Sequence, residues 1–165
     1  MFSLQHKVTI VTGSASGIGA AIAESFARAG ALVYVADCNE AGGAAMVGKI
    51  GDQGGQARLA VVDIAKEADC QALAQRVLAE NGNRCDVLVN NAGVGHVGSI
   101  LTTEPDDLER LWQINVKGAY YLNRAILPAM IARRAGSSIN LASVAGVMGM
   151  EARFAYTVTK HAVGG

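Results

Sequence analysis

The sequence predicts a doubly wound α/β fold, in which helices cover both faces of a parallel sheet. Five short runs rich in apolar and β-branched residues alternate with longer segments of helical periodicity. These runs are residues 8–11, 32–36, 59–62, 87–89 and 139–142. Short runs that are apolar on both faces are typical of strands with helices over each face. Strict alternation of strands and helices implies parallel strands joined by right-handed crossovers.

The first three helices follow from apolar spacing and from glycine stop signals. Ile18, Ile22 and Phe26 recur every four residues, and Gly30 ends that helix. The same spacing predicts a later helix that ends at Gly82. The helix over residues 40–50 is the weakest, because three internal glycines each cost about 1 kcal/mol relative to alanine.

A long helical segment covers residues 103–134. Proline at position 105 suits a first turn, whereas Pro128 should kink or interrupt the helix. Trp112, Tyr120 and Tyr121 are interpreted as packing residues, with an oligomer interface as a further use.

The composition excludes several classes of function. Apolar residues make up 51% of the 165 residues and the formal net charge is zero, so neither nucleic acid nor a membrane is an expected partner. The first five residues lack a secretory pattern, and the three cysteines share no C-x-x-C spacing, so we expect a cytoplasmic protein with free thiols. His96 and His161 lack a surrounding ligand cluster, so no metal site is predicted.

A glycine-rich turn follows the first strand at residues 12–19 (TGSASGIG). Glycines let the backbone approach a pyrophosphate closely, and the following helix N-terminus offers free N–H groups to that anion. The spacing is Gly-x-x-x-Gly-x-Gly, which differs from the dinucleotide fingerprint Gly-x-Gly-x-x-Gly, and an ordinary strand–helix turn is the alternative. The candidate cofactor-binding residues here are Gly13, Ser14, Ser16, Gly17, Ile18 and Gly19.

Two aspartates follow the second and third strands. Asp37 lies 24 residues beyond Gly13, near the expected offset of about 20 for a carboxylate that binds the adenosine ribose. Positions 16 and 38 are Ser and Cys, so no nearby cation would neutralise a 2′-phosphate, and NAD is the predicted cofactor. Capping of the next helix is the alternative role for Asp37, and equally for Asp63 at the helix beginning near residue 66.

Tyr156 and Lys160 lie one helical turn apart and project from the same face. A nearby ammonium stabilises a phenolate, which suits tyrosine to acid/base work between an alcohol and a carbonyl. Ser143, beyond the fifth strand, can offer a hydroxyl to the substrate oxygen.

Together these motifs resemble the short-chain dehydrogenase/reductase family over nearly the whole chain. The glycine turn, Asp63, residues 90–93 (NNAG), Asn115, Ser143 and the Tyr-x-x-x-Lys motif occur in the family's order. The resemblance implies an oxidoreductase that transfers hydride between NAD(H) and a small alcohol or ketone. Its implied catalytic residues are Asn115, Ser143, Tyr156 and Lys160.

Each catalytic residue has an implied role. Tyr156 would exchange the proton, Ser143 would hold the substrate oxygen, and Lys160 would bind the nicotinamide ribose. Asn115 would shape the site and support a proton relay, with local helix distortion as its alternative role. The further implied cofactor-binding residues are Asp63, Ile64, Asn91, Ala92, Gly93, Tyr156 and Lys160, whereas Asn90 is interpreted as structural.

The resemblance also implies that the chain stops early, five residues after Lys160. Residues 1–165 would then form one NAD-binding, Rossmann-type domain with strand order 3-2-1-4-5 that lacks its C-terminal strands. Residues 138–142 would form an apolar open edge. The longer protein is expected to be a homo-oligomer.

Three functions are compatible with parts of the sequence. A non-catalytic nucleotide-binding module remains the alternative to the oxidoreductase. A methyltransferase is rejected because it leaves Ser143, Tyr156 and Lys160 unexplained. The segments expected to line the substrate site are mostly small and apolar, with Glu151 and Arg153 at the rim, and they do not choose among steroid, sugar, acyl thioester and simple alcohol.

Overall fold

The computed structural model describes residues 3–165, whose five strands form one parallel sheet. The order across the sheet is β3-β2-β1-β4-β5, and every neighbouring pair is parallel. The strands are β1 (Val8–Thr12), β2 (Leu32–Asp37), β3 (Gln56–Val61), β4 (Val87–Asn90) and β5 (Ser137–Asn140). This sheet confirms the predicted α/β fold class and the predicted strand order.

Helices connect the strands and cover both faces of the sheet. They are α1 (Gly17–Arg28), α2 (Glu40–Asp52), α3 (Glu67–Glu80), α4 (Pro105–Trp112), α5 (Gly118–Arg133) and α6 (Phe154–Gly164). A π-helical turn (Gln113–Lys117) joins α4 to α5, and a short 3₁₀ turn (Val144–Gly146) precedes α6. Within residues 3–165, no helix combines the length and apolar character that a bilayer crossing requires.

The core has two layers, one on each face of the sheet. Ile10 and Leu88 pack among side chains of α3 and α5, whereas Val11 and Val89 pack among those of α1 and α2. Successive strand residues therefore enter opposite layers, as the two-residue period of a strand requires. The uniform burial of β1 explains why its sequence, VTIVT, is mostly apolar and carries no charged residue.

The two edge strands differ from their predicted positions. β3 begins three residues before the predicted 59–62 run, and its residues alternate between exposed and more buried because it has a single neighbour. β5 covers Ser137–Asn140, earlier than the predicted 139–142, and all four residues are exposed. The predicted apolar edge is wrong in composition, since three of these four residues are polar. Apolar content locates central strands better than edge strands, which carry fewer buried residues.

The predicted interruption of the long helix at Pro128 is wrong. α5 continues through Pro128 from Gly118 to Arg133. Leu122, Ile126 and Met130 on the same helix are buried in the core, and this packing holds the helix across the missing proline N–H. The irregularity lies instead at Gln113–Lys117, whose π-helical turn contains Asn115.

Candidate functional site

The glycine turn connects β1 to α1 at the carboxyl edge of the sheet. Gly13 and Gly17 adopt positive φ angles of +64° and +58°, which favour glycine. A Cβ at Gly19 would collide with the carbonyl oxygen of Gly13, and one at Gly13 would lie 2.9 Å from the Cα of Ala92. The three glycines thus provide a turn tight enough for the first turn of α1 to face an open cavity.

The serines of this turn have different environments. Ser14 is fully buried, and its hydroxyl donates to the carbonyl of Val11 at 2.7 Å. This side chain therefore stabilises the turn and does not line the cavity, although the sequence placed it among the cofactor-binding residues. Ser16 lies at the N-cap position of α1, makes no capping bond with its side chain, and lines the cavity. Ile18 is 68% exposed there, which is unusual for a large apolar residue.

Thr12 links the glycine turn to the segment after β4. Its hydroxyl oxygen accepts N–H bonds from Asn91 and Ala92, both at 3.0 Å. The Asn91 side chain returns the contact by donating to the carbonyls of Thr12 at 2.8 Å and Gly13 at 3.2 Å. Sequence reasoning missed Thr12, although a hydroxyl residue at the end of the strand, directly before the glycine turn, was a usable signal. Asn90 instead donates to the Asn140 side chain at 2.8 Å, which agrees with its structural interpretation.

The first cavity, named here the acidic cavity, has a volume of about 450 Å³, within the usual range for ligand sites. Its lining includes nine predicted cofactor-binding residues: Gly13, Ser16, Ile18, Asp37, Asp63, Ile64, Asn91, Ala92 and Gly93. Asp37 and Asp63 are its charged residues, and no lysine or arginine is among the described residues that line it.

Neither aspartate caps a helix. The Asp37 carboxylate accepts N–H bonds from Ala15 and Asn39, both at 2.9 Å, while the side chain of Asn39 caps α2. Asp63 accepts from the N–H of Ala65 at 3.1 Å and pairs with Lys66 at 3.3 Å, before α3 begins at Glu67. The capping alternative therefore fails for both residues. Asp37 holds the glycine turn against the end of β2.

The second cavity, named here the basic cavity, has a volume of about 430 Å³ and adjoins the first. The two share Ile18, Asn91, Gly93 and Val94. Ser143, Tyr156 and Lys160 all line the basic cavity, so the fold brings together three of the four predicted catalytic residues from a loop and from α6.

Lys160 carries a buried positive charge. The residue is 6% exposed, and its ammonium donates to the carbonyl of Leu141 at 2.7 Å. The ammonium nitrogen lies 5.8 Å from the centre of the Tyr156 ring. Burial lowers the pKa of Lys160 because the charged form loses hydration. Over residues 3–165 no carboxylate pairs with this ammonium, so no ion pair neutralises the charge beside Tyr156.

Ser143 begins the 3₁₀ turn that leads toward α6. Its hydroxyl oxygen accepts the N–H of Ala145 at 3.2 Å. A serine hydroxyl has one donor and two acceptor positions, so this bond leaves the proton available to a bound oxygen. Gly146 follows, and a Cβ there would lie 2.6 Å from the carbonyl oxygen of Lys160. This close approach sets the catalytic end of α6 against the serine loop.

Asn115 lies in the π-helical turn, is 4% exposed and lines neither cavity. Its side-chain oxygen accepts the N–H of Val94 at 2.8 Å, and its amide donates to the Val94 carbonyl at 2.9 Å and to Thr159 at 3.1 Å. The side chain therefore ties the loop after β4 to α6. The distortion that the sequence left as an alternative role is present, and it accompanies this positioning contact. Thr159, next to Lys160, was not anticipated.

The cysteines and histidines are not among the residues that line the basic cavity. Cys70 and Cys85 are buried, which raises the pKa of each thiol to about 12, whereas Cys38 is exposed on the wall of the acidic cavity. The His96 ring lies 3.3 Å from Asp107. No group of three or more metal-ligating side chains occurs in the described part of the chain.

Comparison with known proteins relates this geometry to a family. The family model for short chain dehydrogenase matches residues 7–165. D-threitol dehydrogenase of Mycolicibacterium smegmatis is 37% identical over 99% of this chain and 63% of its own length. The chain spans between about half and about two thirds of the length of the curated relatives that it matches.

Two solved structures illustrate the likeness in fold. A metagenomic short-chain oxidoreductase in complex with NADP has a TM-score of 0.93 and 40% identity, over 98% of this chain and 73% of its own. A short-chain dehydrogenase/reductase from Burkholderia phymatum in complex with NAD has a TM-score of 0.93 and 34% identity, over 99% of this chain and 58% of its own. Relatives of the same fold thus bind either dinucleotide.

Proposed function

The chain belongs to the short-chain dehydrogenase family, and we propose that it forms the cofactor-binding and catalytic core of an NAD-dependent oxidoreductase. The substrate pair is a small alcohol and its ketone or aldehyde. The observation that carries this proposal is the meeting of Ser143, Tyr156 and Lys160 in a cavity that adjoins the glycine turn. A non-catalytic nucleotide-binding module would not need these three side chains around one space.

The preference for NAD over NADP rests on this chain's own residues, because its relatives use both. Asp37 gives the acidic cavity a negative charge that no cation of the described chain pairs with, whereas the charge of Asp63 is offset by Lys66, and no lysine or arginine is among the described lining residues. A 2′-phosphate would bring a further negative charge to this wall, whereas ribose hydroxyls can donate to a carboxylate. Both features favour NAD.

The cradle fits a dinucleotide. A side chain at Gly13 would press on Ala92 and one at Gly19 would collide with the Gly13 carbonyl, so only glycines allow the tight turn that leaves the start of α1 open to a pyrophosphate. Exposed Ile18 extends between the two cavities and offers an apolar surface to a flat ring. A dinucleotide bound here would supply the hydride acceptor for the carbinol carbon of the alcohol.

The side chains manage the proton and the oxygen. The Ser143 hydroxyl donates to the substrate oxygen, which fixes the reacting carbon in the cavity. Tyr156 is the general base that takes the proton from the substrate hydroxyl while the carbon bearing that hydroxyl loses a hydride, so the alcohol becomes a carbonyl. The buried charge of Lys160, 5.8 Å from the centre of the Tyr156 ring, favours this proton transfer.

Replacement of Tyr156 tests the proposal. We expect Tyr156→Phe to lower alcohol oxidation by a factor of about 10³, within the range for a lost general base, while NADH still binds. NADH formation and NADH fluorescence titration measure the two properties. Tyr120→Phe is the matched control, because Tyr120 is an exposed tyrosine on α5. Substantial turnover by Tyr156→Phe would remove this residue from its role.

We also propose that the protein is a cytoplasmic homo-oligomer. Ile131 on α5 is 71% exposed, which supports a subunit contact on this helix. The free thiols of all three cysteines support a reducing location. Sedimentation of wild-type protein and of Ile131→Glu would test the contact, since only the wild type should associate.

A further inference from the structure

We propose that Arg153 selects the substrate, and that the alcohol it selects carries an anionic group, a carboxylate or a phosphate. This inference rests on the oxidoreductase function proposed above and names the chemical class of its substrate. Its starting observation is that Arg153 is among the residues that line the basic cavity with Tyr156, and that its guanidinium lacks a carboxylate partner among residues 3–165.

The charges lining the basic cavity have one sign. Arg153 and Lys160 are its charged residues, and no aspartate or glutamate is among the described residues around it. Lys160 is committed to the carbonyl of Leu141 and to the catalytic tyrosine. Arg153 is therefore the cation left to meet a second group on the substrate.

The guanidinium of Arg153 makes one long hydrogen bond, from Nη1 to the carbonyl of His96 at 3.3 Å. An arginine has five N–H donors in a planar fork, so most of them remain for a ligand. The acids nearby do not use them. Asp107 pairs with His96 at 3.3 Å and Arg110 at 3.6 Å, while Glu151 is exposed and forms no ion pair within the described chain.

The backbone holds Arg153 in a fixed place relative to Tyr156. Arg153 is the N-cap residue of α6, three positions before the tyrosine. An isolated parallel bridge joins it to Gly98: the N–H of Gly98 donates to Ala152 at 2.9 Å, and the N–H of Phe154 donates to Gly98 at 3.0 Å. The fork and the phenol thus rise from one anchored segment, as a specificity site requires.

The rest of the cavity lining complements a short carbon skeleton. Val94, Leu141, Ala142 and Met150 also line this cavity and supply apolar surface. A molecule with an alcohol at one end and an anion at the other would place each group against its partner and pack its carbons between. A planar carboxylate or a phosphate can accept two parallel N–H bonds from arginine, which adds specificity of orientation.

The test compares charged alcohols with uncharged ones of the same shape. The carboxylate probes are α- and β-hydroxyvalerate against their amides, and the phosphate probe is glycerol phosphate against glycerol. For wild type we expect at least one anion to exceed its neutral match in kcat/KM by tenfold or more. In Arg153→Gln this ratio should fall to near one, with turnover of the neutral alcohol retained. Arg153→Lys should keep part of the preference, and Glu151→Gln should keep all of it.

The outcomes separate this inference from the function on which it rests. Equal preference in wild type and Arg153→Gln, with turnover intact, would overturn the role of Arg153. If the protein oxidises no probe, binding of each probe to the NADH complex, followed by NADH fluorescence, still decides. Anion binding that Arg153→Gln abolishes would support the anionic site while refuting the reaction, and anion binding that is absent from wild type would refute the site. Comparison of the carboxylate and phosphate probes identifies the anion.

Discussion

The two adjoining cavities differ in charge and in construction. The acidic cavity carries Asp37 and Asp63, whereas the basic cavity carries Arg153 and Lys160. The shape of the acidic cavity depends mainly on backbone, because the glycine turn and the bonds of buried Thr12 to Asn91 and Ala92 fix the course of the chain there. Side chains from separate segments dominate the basic cavity. One sheet edge therefore presents a cradle shaped by backbone and a reaction site built from side chains, and both cavities share Val94 and Ile18.

The backbone of the acidic cavity is most sensitive to substitution at Gly19. In Gly19→Ala, the new Cβ would collide with the Gly13 carbonyl, so we expect NADH affinity to fall about 100-fold, or about 3 kcal/mol. Fluorescence titration measures this loss. Gly48→Ala is the control, since nothing lies within 4 Å of its Cβ on exposed α2. That variant should gain about 0.5–1 kcal/mol of stability and bind NADH normally. Normal binding by Gly19→Ala would mean that backbone shape does not govern the cradle.

Asn115 ties Val94, which lines both cavities, to Thr159 on α6. Asn115→Asp removes the donors to Val94 and Thr159 and buries a carboxylate, so we expect the free energy of unfolding to fall by roughly 3 kcal/mol. Urea denaturation measures the change. Asn39→Asp is the same substitution at a helix N-cap, where aspartate serves as well, so its stability should stay within about 0.5 kcal/mol. Equal stability of the two variants would mean that the contacts of Asn115 with Val94 and Thr159 do not stabilise the protein.

The charge of the acidic cavity is tested at Asp37. Asp37→Asn keeps an acceptor for a backbone N–H but removes the negative charge. We expect the ratio of NADPH to NADH dissociation constants to fall about tenfold, equal to about 1.4 kcal/mol. Asp52→Asn, at the exposed end of α2, should leave this ratio unchanged. An unaltered ratio in Asp37→Asn would make this residue a support for the turn alone.

The smallest expected effect concerns the buried charge of Lys160. Burial lowers its pKa below the ordinary value of 10.5, so the unfolded chain binds this proton more tightly than the folded protein does. The proton therefore opposes folding, and stability is gained as pH rises through the folded pKa toward 10.5. As the pH rises toward 10.5, the unfolding free energy of wild type should rise relative to that of Lys160→Met. If unfolding free energy changed with pH equally in wild type and Lys160→Met, the predicted rise would be wrong. Lys7→Met, at an exposed lysine, is the control.

The sequence was most informative about the acidic cavity. Its glycine turn and Asp37 act through local backbone geometry, which spacing along the chain records. Apolar runs likewise identified the central strands, but β3 and β5 shifted because edge strands carry fewer buried residues. The interruption expected at Pro128 was wrong because core packing on α5 outweighs one lost hydrogen bond.

The basic cavity was less accessible to sequence reasoning. Ser143, Tyr156 and Lys160 were recognised by motif, but the contacts of Asn115 with Val94 and Thr159 span 21 and 44 positions. The placement of Arg153 depends on its bridge to Gly98, from a distant loop. No local pattern records such long-range pairings. Ser14 shows that a motif can also mislead, because one of its residues can face the interior and not the cavity.

The unequal burial of the three cysteines makes this protein suitable for site-selective labelling. Thiol reagents attack the thiolate, and the raised pKa values of Cys70 and Cys85, together with their burial, keep both unreactive. Cys38 is exposed on the wall of the acidic cavity, directly after Asp37. A maleimide dye would therefore attach at one position without engineering, and the labelling rate would report whether a dinucleotide shields that wall.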